Sequence, residues 1–110
     1  MLKKISIIIP FYNPGILIKN NFRNIAEIQI NNPDLQIIYV DNNSLDESYS
    51  YVRNKIKNNK NIKIYKTNDE QGPGIARNLG IKKAKTKYII FLDVDDYLEI
   101  KNLKKLYKIL

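Results

Sequence analysis

Four short apolar runs alternate along this chain with segments of helical periodicity, and no other feature limits its fold as strongly. Residues 5–10, 36–40, 62–66 and 88–92 read as strands, three of the four rich in Ile or Val. Between the first two, Ile18, Phe22, Ile25 and Ala26 recur at helical spacing until Pro33 and Asp34 stop the pattern. The second helix is expected to begin at Ser44, because Ser44, Leu45, Asp46 and Glu47 have the Ser-x-x-Glu form of a capping box, with Tyr49, Val52 and Ile56 facing inward. A third starts around Gly72 and Pro73, where proline is tolerated in a first turn, and runs through Ile75 and Leu79 to about Ala84. The last carries Leu103, Leu106, Tyr107 and Leu110 at i, i+3, i+4 and i+7. Strands alternating with helices of this length imply βαβ units with right-handed crossovers. The expected class is α/β: a Rossmann-like open, mainly parallel sheet of about four strands with helices on both faces.

At 110 residues the chain is expected to form one domain, with a core that needs no covalent staple. It contains no cysteine and no histidine, which excludes a disulfide scaffold, a thiolate nucleophile, a zinc site of the usual kind and a Ser/His triad. Absence of cysteine fits a cytoplasmic location. Met1, Leu2, Lys3 and Lys4 lead directly into a strand without a signal-peptide pattern, and no apolar run approaches bilayer length. The formal charge of +8 raises the question of nucleic acid or an anionic membrane surface. The lysines are spread along the chain, with mild concentrations at residues 82–87 and 101–108, so no nucleic-acid partner is expected. Attraction of an anionic ligand, or peripheral contact with the inner membrane surface, suits this distribution better.

The strand ends carry the chemistry. YIIFLDVDDYL, residues 88–98, is an apolar run without alternating polar positions, which reads as an interior strand covered on both faces. Asp93, Asp95 and Asp96 then fall at the C-terminal edge, where open α/β sheets bind ligands. Carboxylates gathered so closely call for a cation, and hard oxygen ligands suit Mg²⁺ or Mn²⁺. The plain alternative is a solvated acidic turn before a helix starting near Glu99. After the first strand, Pro10, Phe11, Tyr12, Asn13, Pro14 and Gly15 form a turn-rich loop in which Tyr12 either stacks on a base or simply packs. After the second, Asp41, Asn42, Asn43 and Ser44 can read the edge of a nucleobase or form an ordinary loop. Asn43 suits a left-handed conformation. After the third, residues 68–74 read NDEQGPG, where glycine allows close backbone approach and a helix start offers N–H groups to an anion, although neither the P-loop nor the GxGxxG pattern is present. Arg77, about one turn in, can reach a phosphate, pair with the acids of the fourth loop or form a surface salt bridge.

Taken together and in order, ISIIIPFYNPG, IIYVDNNSLDES and QGPGIARNLGIKKAKTKYIIFLDVDDYL resemble the successive blocks of the family 2 glycosyltransferases, enzymes with the GT-A fold. The resemblance runs from about Lys4 to Leu98 and implies a nucleotide-sugar-binding N-terminal half, commonly specific for a UDP-sugar, with Mn²⁺ or Mg²⁺ as cofactor. By this resemblance the DxD motif falls on Asp93 and Asp95. Asp93 would contact the ribose or diphosphate, Asp95 would coordinate the metal and Asp96 would support it. Pro10 and Tyr12 would meet the base and ribose, Asp41 and Asn42 the uracil edge, and Arg77 would lie near the nucleotide. The implied reaction is inverting transfer of the sugar to an acceptor hydroxyl on a saccharide or a lipid-linked acceptor, in polysaccharide biosynthesis.

Two departures qualify the resemblance. Many relatives read VDDGS where this chain has VDNNS, so the acid that would accept the uracil N–H is replaced by Asn42, which both donates and accepts. The family's catalytic base is an acid well beyond the DxD motif, so no catalytic residue is assigned and the chain alone is expected to hold a donor without transferring its sugar efficiently. Two other enzyme classes fit less well. In an aspartyl phosphohydrolase the FLDVDD motif would close the first strand instead of the fourth, and a receiver domain would need acids where Pro10 and Phe11 stand. A basic binding module without catalysis is the non-enzymatic alternative.

Overall fold

The computed structural model describes residues 4–68 and 72–110, and all four apolar runs are strands in it. They are β1 (Ile5–Phe11), β2 (Gln36–Asp41), β3 (Ile62–Lys66) and β4 (Tyr88–Phe91), alternating with α1 (Leu17–Asn31), α2 (Ser48–Lys55), α3 (Pro73–Lys83) and α4 (Ile100–Ile109). The strands form one parallel sheet in the order β3-β2-β1-β4. Right-handed crossovers dictate the layers. The chain steps outward from β1 to β2 to β3, which puts α1 and α2 on one face. It then returns past both strands to β4 on the far side of β1, which carries α3 across the other face.

The side-chain pattern matches these layers. Ile5, Ile7, Ile9 and Phe11 of β1, with Ile37 and Tyr39 of β2, pack against Ile18, Ile25 and Ile28 of α1, Val52 of α2 and Leu103 of α4. The alternate positions Ile8, Ile38 and Val40 meet Ala76 and Leu79 of α3. Each fully buried Ile contributes about 1.5–3 kcal/mol by leaving water. Helix α3 lies so close to β1 that a Cβ on Gly80 would run into the Cγ2 methyl of Ile8. Tyr39 is fully buried, its ring near those of Phe11 and Phe22 and its hydroxyl donating to Asn21 Oδ1 at 2.6 Å. Burial, then the nearby Tyr51, pushes that phenol far above its usual value. No described helix is long and apolar enough to cross a membrane.

Two expectations change. Among the described residues β4 lies at the edge of the sheet: it pairs there with β1 alone, its residues are half-buried, and Phe91 is 43% exposed. A continuous apolar run reports hydrophobicity but not sheet order, and order is what decides how an end strand is covered. The capping box is also not formed. α2 starts at Ser48, four residues after Ser44, without a side-chain cap. Ser44 instead accepts a hydrogen bond from the Asn13 N–H at 2.8 Å, while Asp46 Oδ1 takes the Ser48 N–H at 3.0 Å.

Candidate functional site

In a sheet of this order the crevice lies beyond the C-terminal ends of β1 and β4, where the chain's direction of travel reverses. The register builds it. Phe11 stands beside Asp41 and Asp41 beside Lys66, so the loops after three strands leave the sheet at one level. β4 stops earlier, Phe91 pairing with Ile8, and its register carried two residues on brings Asp93 level with Pro10. This also explains a proline inside a central strand. The Ile8 carbonyl faces β4 and the Phe11 carbonyl faces β2, so the nitrogen of Pro10 faces β4 where pairing has already ended.

A cleft of about 470 Å³ opens there, within the range of small-ligand sites. Pro10, Phe11 and Tyr12 line it from β1, Asn42 from β2, Gly72, Ala76 and Arg77 from α3, and Asp93 from the fourth loop. Five of the eight expected site residues therefore share one cavity. Tyr12 is 48% exposed, leaving a ring face for a planar ligand. Asp41 does not line the cleft. Its carboxylate is fully buried, Oδ1 accepting the Ser44 N–H at 2.8 Å and Oδ2 without a partner among the described residues.

Short polar side chains organise the loops. Asn13 and Asn43 both take positive φ, 45° and 65°, so the left-handed expectation for Asn43 holds. Asn13 Oδ1 accepts the Leu45 N–H at 2.6 Å, and Asp46 Oδ2 accepts the Gly15 N–H at 3.0 Å, closing a zipper between the loops after β1 and β2. Desolvation alone would raise the Asp46 carboxyl, but hydrogen bonds from the Ser48 hydroxyl and from the Gly15 and Ser48 N–H groups outweigh it and hold the carboxyl below its usual value. Asn42 is held from behind, its Oδ1 accepting the Thr67 hydroxyl at 3.0 Å. The amide of Asn43 reaches the Asn68 carbonyl. Asp69, Glu70 and Gln71 of the NDEQGPG segment lie outside the described residues.

The remaining groups are cationic and acidic. Arg77 makes no ion pair among the described residues; its guanidinium lies over the exposed Phe91 ring, 5.7 Å from the centroid, so neither salt-bridge expectation is met. The start of α3 offers less to an anion than its sequence suggests, since Pro73 has no N–H and the Ile75 and Ala76 amides already donate to the Gly72 carbonyl. Asp93, Asp95 and Asp96 are exposed and can each bring one carboxylate oxygen within 4.8 Å of the others, with no ion-pair partner among the described residues. Three hard oxygen donors in one spot fit Mg²⁺ or Mn²⁺. Sequence reasoning missed Phe11 and Ala76 as lining residues and Thr67 as the support of Asn42. The β1–β2 register places Phe11 beside Asp41, the β2–β3 register carries Thr67 level with Asn42, and the crossing of α3 over the sheet brings Ala76 to the cleft.

These features put the chain among the open α/β proteins whose crevice lies at a switch in strand order. Residues 6–110 match the model of glycosyl transferase family 2, and the chain belongs to that family. An uncharacterised glycosyltransferase of Haemophilus influenzae is 36% identical over 92% of this chain and 40% of its own length. The poly(ribitol-phosphate) beta-glucosyltransferase of Bacillus spizizenii is 37% identical over 94% of this chain and 17% of its own. The chain thus spans less than half the length of these relatives. Among solved structures, residues 1–349 of Staphylococcus aureus TarS in complex with UDP-GlcNAc superpose with a TM-score of 0.83 at 29% identity, covering 96% of this chain and 30% of that TarS fragment. A Pyrobaculum calidifontis mannosyltransferase in complex with GDP-Man and Mn²⁺ reaches 0.84 at 22% identity, covering 98% and 32%, a likeness of fold. The four-stranded parallel sheet is thus the N-terminal portion of a GT-A fold.

Proposed function

We propose that residues 1–110 form the donor-binding domain of an inverting, metal-dependent glycosyltransferase that moves a sugar from a nucleotide-sugar to an acceptor hydroxyl. The observation that carries this reading is the convergence of Tyr12, Asn42, Arg77 and Asp93 on one cleft beside the three-aspartate cluster. Tyr12 stacks on the base and Pro10 borders the ribose. Asn42, with Asp41 behind it, reads the base edge, and UDP is the favoured nucleotide because TarS, a family relative, is seen with UDP-GlcNAc. Arg77 supplies positive charge near the diphosphate. Asp93, Asp95 and Asp96 would hold the divalent ion, which when bound would supply Lewis-acid neutralisation of the charge on the departing nucleoside diphosphate. The chain's own residues thereby bind and orient the donor, and none of them is assigned as the general base. The acceptor is a saccharide or a lipid-linked saccharide, and the basic surface suits work beside an anionic membrane.

Calorimetry tests the donor site. UDP should bind the chain more tightly with Mn²⁺ than without it, and Asp95→Ala should remove that difference. The loss should be at least as large as the roughly 10–100-fold that follows removal of an outer-shell partner. No binding of UDP, GDP or TDP under either condition would leave the family relationship as ancestry alone.

A further inference from the structure

Asn24 sits on the core-facing side of α1 among Ile18, Ile25 and Ile28 and is only 5% exposed. A primary amide in such a stripe costs stability unless both its ends are hydrogen-bonded. Both are bonded, and to a single residue. Asn24 Nδ2 donates to the Leu98 carbonyl at 3.0 Å, and Asn24 Oδ1 accepts the Leu98 N–H at 2.9 Å. A backbone acceptor on one side and a backbone donor on the other fix which way the amide points. The side chain thus stands in for a neighbouring strand, 74 residues away in sequence.

Leu98 ends the acidic loop. At its near end that loop is tied where the Leu92 N–H donates to the Ile8 carbonyl at 3.0 Å, and in its middle the Asp96 N–H donates to the Asp93 carbonyl at 3.0 Å. Val94 and Leu98 add apolar packing against the main core. Among the described residues, the far end has no other hydrogen bond to the body of the fold than those of Asn24. Between the two ties hang three carboxylates whose mutual repulsion favours spreading the loop.

We propose that Asn24 is a positioning residue for the divalent cation: by gripping the Leu98 backbone it keeps the oxygens of Asp93, Asp95 and Asp96 in one coordination sphere. This role rests on the donor-site reading above. Loss of an outer-shell partner that orients metal ligands typically costs about 10–100-fold in metal affinity.

The test is an Mn²⁺ titration of the full chain in the presence of UDP, followed by the loss of the free-ion electron paramagnetic resonance signal. Asn24→Leu, which keeps the volume and removes both hydrogen bonds, should raise the Mn²⁺ dissociation constant about tenfold or more while far-UV circular dichroism stays native. Ile28→Val, on the same helix, should lower the melting temperature and leave Mn²⁺ affinity unchanged. If Asn24→Leu does not fold, Asn24→Asp decides the matter. It keeps the acceptor for the Leu98 N–H and loses only the donor, and its added negative charge would by itself favour a cation, so weakened binding there supports positioning. A folded Asn24 variant with wild-type Mn²⁺ affinity overturns this role alone. A wild-type chain that takes up no Mn²⁺ overturns the donor-site reading, and this role with it.

Discussion

At Gly72 the backbone takes φ 143° and ψ 146°, a region essentially confined to glycine, immediately before α3 and on the wall of the cleft. The space around it is open, the nearest atom to an added Cβ being Ile75 Cδ1 at 3.9 Å, so backbone strain and not collision sets the effect of a substitution. Gly72→Ala should therefore destabilise the chain by about 1–3 kcal/mol, measured by urea denaturation, or shift the start of α3 and weaken UDP binding in calorimetry. The residue best read from sequence is one whose type alone limits its use: Asn43, expected and found at positive φ. Asn24 could not be read that way. In an apolar helical stripe it looks like a defect, and its partner is a backbone group 74 residues on, which has no side-chain signature.

Among the elements, the loops after β1 and β2 act as one piece, because Asn13, Ser44 and Asp46 tie them at three points. The Ser-x-x-Glu pattern misled for the same reason. The Ser44 hydroxyl is equally able to accept the Asn13 N–H across the zipper, and only the three-dimensional neighbour decides between the two uses. Asp46 makes the zipper sensitive to pH. Its folded-state carboxyl lies below its unfolded value, so the stabilisation is complete above the ordinary aspartate pKa of about 3.9 and is lost as pH falls through the lower folded value. Asp46→Asn should unfold more readily than wild type at pH 7, and the gap between their urea midpoints should close below pH about 4. A gap that persists at pH about 2 would show that Asp46 acts through shape instead of charge.

Over the whole molecule, two electrostatic effects oppose each other. The chain carries +8, yet the cluster beside its cleft is formed by three aspartates, and the ligand proposed for that cleft is itself an anion. On the proposed reading, the overall field would draw a nucleoside diphosphate in, while the local acids would repel it until a divalent cation lay between them. These effects differ in range. Attraction by the dispersed lysines acts through solvent and is screened over about 8 Å at physiological ionic strength, whereas contacts to a bound cation are short and screened far less. Salt should therefore act on approach more than on departure. In stopped-flow fluorescence with a labelled UDP and saturating Mn²⁺, the association rate should fall on the order of tenfold between about 20 mM and 500 mM salt, with the dissociation rate changing little. Reversing Lys104 and Lys105, exposed residues of α4 that line no part of the cleft, tests the same point without salt. Each reversal removes one positive charge and adds one negative, so Lys104→Glu with Lys105→Glu takes +8 to +4. The double variant should associate more slowly at low salt, match the wild type at high salt and release UDP at the wild-type rate. Equal association rates at low salt would mean that nucleotide capture depends on the groups at the cleft and not on the charge of the whole chain.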